Sequence, residues 1–228
     1  MTDIVFPNNN ETEFIKTAED LGIDSLCFVY EYSGSFSEKL EEVSELKKKT
    51  KIGLFVGAFC SEKQVQSAKR LADLILVKGV ENNRQLVERG LADIIYELEA
   101  MQHRDFIYQK NSGLNHVLTE IAAKKELMVG LSFSFLINAE PKLRVKLMGR
   151  MMQNIRLSKK YKVTVAVASF AKVPEEMRSM TDLRSLFVCL GMEQGMAKAA
   201  MNAVSERIKE NQDKKSPDYI GKGIRLLK

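Results

Sequence analysis

The sequence predicts an α/β fold built on a parallel sheet. Seven short apolar runs recur along its 228 residues, and stretches with helical periodicity separate them. Runs that are almost continuously apolar and rich in β-branched and aromatic residues are typical of strands buried on both faces, as in a parallel sheet. A repeat of roughly 25 residues per strand–helix unit leaves two architectures open, a doubly wound sheet and a closed (β/α) barrel.

The predicted strands are the apolar runs themselves. No Gly-rich phosphate loop follows the first run, and that loop is typical of a dinucleotide-binding sheet. Its absence favours the barrel, but periodicity alone does not choose between the two architectures. The seven runs span residues 4–6, 26–29, 52–56, 74–77, 94–96, 128–133 and 163–168.

Helices are predicted between these strands. Residues 11–21 place Phe14, Ala18 and Leu21 on one face, a spacing typical of an amphipathic helix. Gly22 and Gly90 stand where helices end with a left-handed residue. The same periodicity predicts helices over residues 38–47, 65–71, 114–125, 141–160 and 194–209.

Length and composition predict one domain over residues 1–210, followed by a loosely ordered basic tail over residues 211–228. No apolar run reaches the roughly 20 residues that a membrane span needs, and the first residues lack the pattern of a secretion signal. We therefore expect a cytoplasmic protein. Cys27, Cys60 and Cys189 lie far apart in apolar segments, which predicts buried free thiols rather than disulfides or a metal knuckle.

Charge is divided unequally along the chain, whose formal net charge is +5. Residues 141–228 hold 19 Lys and Arg against 8 Asp and Glu, while residues 1–140 hold 16 against 22. A basic half of this kind indicates a polyanionic partner, because each neutralised phosphate releases counterions. On charge alone, a merely solvated face explains the asymmetry equally well.

The predicted helix over residues 141–160 is the strongest sign of a basic surface. Leu143, Leu147, Met151 and Ile155 recur every four residues and predict a buried stripe. Like charges one turn apart repel by a few tenths of a kcal/mol, and the helix has no acid to pair with its cations, so an anionic partner would stabilise it. These cations are Lys142, Arg144, Lys146, Arg150, Arg156, Lys159 and Lys160.

Catalytic constellations are weak in this sequence. The two histidines, His103 and His116, are too few for a multinuclear metal site based on imidazole, although Glu31 or Glu97 could contribute. Ser112 precedes His116 by four residues, but neighbours in sequence do not form a nucleophile with an oriented base. A turn followed by a capped helix explains the pair better.

His116 falls in the first turn of the predicted helix over residues 114–125, with Ser112 or Asn115 as its cap. Backbone N–H groups exposed there favour a phosphate, and a core-facing histidine is an equal alternative. The polar segment before it, residues 97–112, is too long for a minimal loop. We expect it to have a functional role or to form a short extra strand at residues 106–108.

Sequence blocks between residues 111 and 192 resemble a known family. They begin Ser112-Gly113-Leu114-Asn115-His116-Val117-Leu118 and continue with Met151-Met152-Gln153-Asn154-Ile155-Arg156-Leu157, Lys160-Tyr161-Lys162-Val163, Arg178-Ser179, Asp182-Leu183 and Leu190-Gly191-Met192. In this order they resemble the 30 kDa protein subunit family of archaeal and eukaryotic ribonuclease P, called protein component 3 in archaea. The resemblance implies a TIM-like barrel related to the polymerase and histidinol phosphatase superfamily.

The resemblance also implies a subunit that is not itself an enzyme. The holoenzyme removes the 5′ leader of precursor tRNA, with catalysis by the RNA subunit and its Mg²⁺, and the protein holds no cofactor. The implied partners are that RNA with precursor tRNA and a small ferredoxin-like protein subunit, with no membrane. The residues expected to contact RNA are Arg178, His116, Lys124, Lys125, Lys110, Arg104, Lys160, Lys198 and Arg150.

Arg178 is the residue that we expect to matter most. The family has a proline where this chain has Met180, and Thr181 or Asp182 is the expected cap of the following helix. Arg178 would then lie on the C-terminal side of a barrel strand, where barrels place their sites. A guanidinium there can bind a phosphate through two parallel hydrogen bonds.

Two enzyme classes remain as alternatives. One is a metal-dependent phosphoesterase of the same superfamily acting on a small phosphorylated substrate. The other is a phosphate-binding barrel enzyme of metabolism, which would need Gly-rich ends on its late strands, where this chain offers only Gly191. Before Gly113 the family tends to have Arg-Lys where this chain has Gln109-Lys110, and Arg104 is the residue expected to compensate.

Overall fold

A computed structural model describes residues 1–100, 104–216, 219–221 and 224–225. Its main sheet has seven parallel strands that pair in chain order. The strands are β1 (Thr2–Val5), β2 (Ser25–Glu31), β3 (Gly53–Phe59), β4 (Leu74–Lys78), β5 (Ile94–Tyr96), β6 (Met128–Ser132) and β7 (Val165–Ala168). Each lies within a few residues of a predicted run, because buried parallel strands need continuous apolar sequence.

The sheet curves until its last strand meets its first. Val5 forms a parallel bridge with Ala171, just beyond β7, and the Phe6 N–H donates to the Ala171 carbonyl at 2.7 Å. The Asp3 carboxylate accepts from the Ser169 N–H at 2.6 Å across the same seam. The fold is therefore the expected TIM-like α/β barrel, and the open doubly wound alternative is wrong.

Helices surround the barrel and connect its strands. Short 3₁₀ turns at Glu62–Gln64, Leu98–Ala100 and Pro174–Glu176 complete the loops, and β8 (Tyr219–Gly221) pairs with β9 (Ile224–Arg225) after the last helix. The helices are α1 (Glu11–Asp20), α2 (Phe36–Lys47), α3 (Val65–Leu71), α4 (Arg84–Arg89), α5 (His116–Lys124), α6 (Phe133–Ile137), α7 (Pro141–Tyr161), α8 (Met180–Cys189) and α9 (Gln194–Lys215).

The lower end of the barrel, where the strands begin, is closed by α9. Ala203, Val204 and Ile208 of this helix pack with interior residues of the strands. Asn211 then donates to the Asp73 carbonyl at 3.0 Å and to the Asp93 carboxylate at 2.9 Å, just before β4 and β5. Because these bonds hold its last turns, the helix runs to Lys215 and not to Lys209, and residues 211–215 are not a loose tail.

The upper end, where the strands finish, is filled by four aromatic rings. The rings of Tyr96 and Phe170 stack at 5.3 Å, and Phe6 and Phe59 lie 5.9 and 6.1 Å from Tyr96. Gly130 of β6 leaves room for them, since a Cβ there would meet Tyr96 at 2.9 Å and Phe170 at 3.1 Å. Aromatic packing thus occupies the centre of the end at which barrel enzymes hold substrates, and a cavity of about 440 Å³ remains beside it, lined among others by Glu31, Phe59 and Lys78.

Several local predictions from the sequence are wrong. Residues 106–108 form no strand, and Cys189 is exposed rather than buried. Leu143, predicted to belong to the buried stripe of α7, is 43% exposed. Ser179, not Thr181 or Asp182, caps α8, accepting from the Asp182 N–H at 3.2 Å.

Candidate nucleic-acid interface

Arg150 lies in the middle of α7 and points inward. Its side chain is 1% exposed, its Nε donates to Asp105 Oδ1 at 2.8 Å, and its Nη1 donates to the Glu99 carbonyl at 2.8 Å. The expectation that Arg150 belongs to an exposed basic stripe is wrong, because an acid 45 residues away neutralises it. Its role is to anchor the loop after β5.

The same loop is fastened to α7 by amide side chains. Gln153 accepts from the Lys110 N–H at 3.0 Å and donates to the Lys110 carbonyl at 2.8 Å. Asn154 donates to Glu99 Oε1 at 2.8 Å and to the Ser112 carbonyl at 3.0 Å. These bonds hold the backbone of Lys110 and Ser112 against α7.

Two carboxyl groups in this network respond differently to their surroundings. Burial raises the pKa of Glu99 to about 7, although the Asn154 amide favours its charged form. Partial desolvation also opposes the charge on Asp105, but the Asn111 N–H and the Arg150 guanidinium hold its pKa below the usual range. Sequence reasoning missed Glu99, Asp105, Gln153 and Asn154. The signal was the pair of acids, Glu99 and Asp105, in the loop that faces a helix without acids, together with two amide side chains, Gln153 and Asn154, within that helix.

Arg178 lies after β7 at the upper end, as predicted. Its Nη1 donates to the carbonyls of Glu175 and Met177, both at 2.6 Å, and its guanidinium carbon lies 5.3 Å from the Phe133 ring centre. Stacking and backbone bonds fix the plane of the guanidinium, while its remaining N–H groups have no acceptor among the described residues. This half-buried group is prepared to bind an anion without further ordering.

His116 is the first residue of α5 and is exposed. The core-facing alternative is therefore wrong. Asn115 is the cap, as one of the two candidates predicted, and its side chain accepts from the Leu118 N–H at 2.9 Å. The imidazole lies at a helix N-terminus, where the peptide dipoles favour an anion.

The predicted contact residues fall into two groups at opposite ends of the barrel. The upper set, Arg104, Lys110, His116 and Arg178, follows the carboxyl ends of β5 and β7. The lower set, Lys124, Lys125, Lys160 and Lys198, lies where helices return to the strand starts or where α9 crosses them. The nine-residue helix α5 begins at His116 of the upper set and ends at Lys124 of the lower set, about 12 Å away along the helix axis.

Several of these cations have partners that the sequence did not reveal. Lys124 pairs with Glu120 at 2.9 Å, and Lys110 lies 3.6 Å from Asp105. Lys160 lies over the Tyr161 ring at 5.3 Å. Lys159 pairs with Glu193 at 2.6 Å, so the expectation that the cations of α7 lack acidic partners is wrong.

The part of the chain that the structure describes lacks the side-chain cluster that a metal-dependent enzyme needs. No group of three or more His, Cys, Asp and Glu side chains is placed there to hold a metal ion. His103, one of the candidate ligands, lies outside the described residues. Among the described helices, none is both long and apolar enough to cross a membrane.

Comparisons with known proteins agree on one family. The model of the family described as RNase P subunit p30 matches residues 5–216. Ribonuclease P protein component 3 of Thermococcus kodakarensis is 31% identical over 171 residues, covering 74% of each chain. The protein of the same name from Methanococcus maripaludis is 26% identical over 195 residues, covering 81% of each.

The fold is found in a solved structure as well. A chain in a structure of archaeal ribonuclease P with mature tRNA superposes with a TM-score of 0.81 at 22% identity, covering 100% of this chain and 98% of that one. At this identity the superposition shows a shared barrel, whereas the family match extends over most of the sequence. The chain belongs to the RNase P subunit p30 family.

Proposed function

We propose that this chain is a protein subunit of ribonuclease P, the cytoplasmic ribonucleoprotein that removes the 5′ leader of precursor tRNA. The observation that supports it is the family match over residues 5–216. In this proposal the chain binds the catalytic domain of the RNA subunit and stabilises its fold. Catalysis belongs to the RNA and its Mg²⁺, and the protein contributes no cofactor.

Charge and geometry explain how the upper set would bind RNA. Arg178 and His116 present an oriented guanidinium and a helix N-terminus at the upper end, both suited to phosphate oxygens. The sequence has no tryptophan, and the exposed rings beside the upper set are those of Phe106 and Tyr108. We infer that the oriented cations contact backbone phosphates and helix shape rather than base edges.

The test is RNA binding by the purified chain, followed over a range of salt concentrations. The proposal expects specific binding to ribonuclease P RNA, with an affinity that falls steeply as salt rises. An unrelated RNA of equal length serves as the control. Equal affinity for both RNAs, or none for either, would contradict the proposal.

The phosphoesterase alternative makes a different prediction. A metal-dependent member of the same superfamily would hydrolyse small phosphate esters when Mn²⁺ or Zn²⁺ is added to the chain alone. We expect no such turnover, because no group of three or more His, Cys, Asp and Glu side chains among the described residues is placed to hold a metal ion. Metal-dependent hydrolysis that disappears on replacing Glu97 and Glu31 would restore the alternative.

A protein partner is supported by the tip of the loop after β5. Phe106, Ile107 and Tyr108 are 59, 91 and 98% exposed, and Arg150 anchors the loop that presents them. Three consecutive exposed apolar side chains mark an interaction surface. We propose that they dock on the small ferredoxin-like subunit of the complex.

Co-purification with that small subunit tests the docking surface. Replacing Phe106, Ile107 and Tyr108 by serine should weaken the heteromeric complex at least tenfold. The matched control replaces Val80, Val145 and Val173 by serine, since these residues are also exposed but lie apart. Equal complex formation by both triple variants would overturn this proposal and leave the RNA-binding role untouched.

A further inference from the structure

A groove at the lower end of the barrel collects cations from three distant parts of the chain. Its volume is about 510 Å³, many times the roughly 30 Å³ share of one water molecule. It lies between the ends of α3 and α5 and the last turns of α9. The lower groove is lined by Lys69, Arg70, Lys125, Arg207, Lys214 and Lys215.

Two of these cations build the walls. Lys215 donates to the Ala72 carbonyl at 2.6 Å and so provides a hydrogen-bond donor for a carbonyl at the C-terminal end of α3. Arg207 donates to the Glu126 carbonyl at 2.7 Å and lies 3.6 Å from Asp93. Because these contacts tie α9 to the strand starts, the groove keeps its shape without a ligand.

The other four cations remain available. Lys69, Arg70, Lys125 and Lys214 are exposed and make no direct ion pair or hydrogen bond within the described residues. Burial raises the pKa of Asp93, and Lys69 lies near enough to that carboxyl to oppose the rise. The stem of Lys125 rests on Gly90, where an added Cβ would lie 2.6 Å from the Cβ of Lys125. Close backbone contact therefore directs this lysine into the groove.

The acids in the groove do not balance these charges. Asp93 and Glu126 are its two acidic lining residues, and Asp93 is occupied by Arg207, Asn211 and the Ile75 N–H. A concave surface with several unpaired cations concentrates positive potential and attracts a polyanion. Lys69 and Arg70 come from the half of the sequence that is acidic on balance, so only the fold brings them beside Lys214.

We propose that the lower groove binds the phosphodiester backbone of RNA, as a second contact separate from the upper set. It rests on the proposed function, because it needs an RNA partner. The nine residues of α5 place His116 of the upper set and Lys125 of the groove about 14 Å apart along the helix axis, so the chain bridges two neighbouring segments of one folded RNA. Such a bridge would hold RNA helices together through charge and spacing rather than through sequence.

The test uses two variants in which three cationic side chains are replaced by neutral ones. It compares their binding to ribonuclease P RNA from about 50 to about 200 mM salt. The groove variant is Lys69→Gln, Arg70→Gln and Lys214→Gln, which leaves the wall residues Arg207 and Lys215 intact. The control is Lys16→Gln, Lys49→Gln and Lys51→Gln, three exposed lysines of the acidic half. Both variants change the charge equally, and urea unfolding checks that both fold.

The proposal expects the groove variant to bind at least tenfold more weakly and its salt slope to fall by about 2 to 3, since each lost phosphate contact removes about 0.7 to 0.9. The variant Lys69→Arg with Lys214→Arg keeps the positive charges and should bind as tightly as the unaltered chain. If the groove and control variants have equal affinity and salt slope, the proposed RNA binding by the lower groove is wrong, while the proposed role as a ribonuclease P subunit is unaffected. Failure of the unaltered chain to bind this RNA would instead overturn the function itself.

Discussion

Arg150 of α7 and Asp105 of the loop after β5 form an ion pair of 2.8 Å, and the arginine side chain is 1% exposed. The pair joins the basic helix α7 to the loop that presents Phe106, Ile107 and Tyr108. It therefore fixes the position of Lys110 relative to α7, and with it part of the upper set. The packing of this loop on α7 therefore depends on the charge of Arg150, which the sequence pattern predicted to lie on the surface.

Asp105→Ala should destabilise the protein by about 3 kcal/mol, because it leaves the buried Arg150 guanidinium without its carboxylate. Urea unfolding at neutral pH measures this change. The matched control is Glu120→Ala, which breaks the exposed pair with Lys124 and should cost less than about 0.5 kcal/mol. Equal losses in the two variants would show that the buried pair is no more important than a surface one.

Stability should fall as pH rises from about 4 to about 7. Burial raises the folded-state pKa of Asp3 from 3.8 to about 6 and that of Glu99 from 4.5 to about 7. The folded state thus binds more protons than the unfolded state in this window, and its advantage is lost once the pH exceeds the raised values. Each shift corresponds to roughly 3 kcal/mol at most.

Thermal unfolding at about pH 5 and about pH 8 measures this dependence. The unaltered chain should melt at a higher temperature at the lower pH, and the Asp3→Asn and Glu99→Gln variants should reduce the difference. A melting temperature that rises between the two pH values in the unaltered chain, and stays equally pH-dependent in the variants, would contradict the assignment.

Arg178→Ala should weaken RNA binding about tenfold or more and reduce the salt slope by about 1. Arg178→Lys should recover only part of the loss, because lysine keeps the charge but cannot form parallel hydrogen bonds or stack in the same way on Phe133. Filter binding to ribonuclease P RNA measures both variants, with Lys16→Ala as the control. Full recovery by lysine would show that only charge matters at this position.

Lys125→Ala should reduce RNA binding more than Lys124→Ala. Glu120 already engages Lys124 at 2.9 Å, whereas Lys125 rests on Gly90 and faces the lower groove. The single variants, measured side by side at one salt concentration, give the order directly. A larger loss from Lys124→Ala would mean that RNA approaches the outer face of α5 and not the groove.

The strands were predictable from the sequence because a strand buried on both faces leaves a local apolar run. The closure of the barrel was not, since it depends on Asp3 meeting Ser169 and on Val5 meeting Ala171 at opposite ends of the chain. Helix periodicity likewise placed α7 within one residue of its observed end but could not show which cations face inward.

The candidate site was predictable only in part. The loop position of Arg178 agrees with the expectation, and the exposure of His116 agrees with one of its two equal alternatives, since both follow from local sequence next to strand ends. The inward turn of Arg150 and the grouping of Lys69 with Lys214 depend on contacts between segments far apart in sequence. No local pattern contains that information, and whether the predicted residues touch RNA stays a prediction.

The most direct test of the central claim is precursor tRNA cleavage by the ribonuclease P RNA at limiting Mg²⁺, with and without this chain and its small partner subunit. A subunit that stabilises the RNA fold should lower the Mg²⁺ concentration needed for cleavage at the mature 5′ end, while the proteins alone cleave nothing. An unchanged Mg²⁺ requirement, or cleavage by the chain without RNA, would contradict the account.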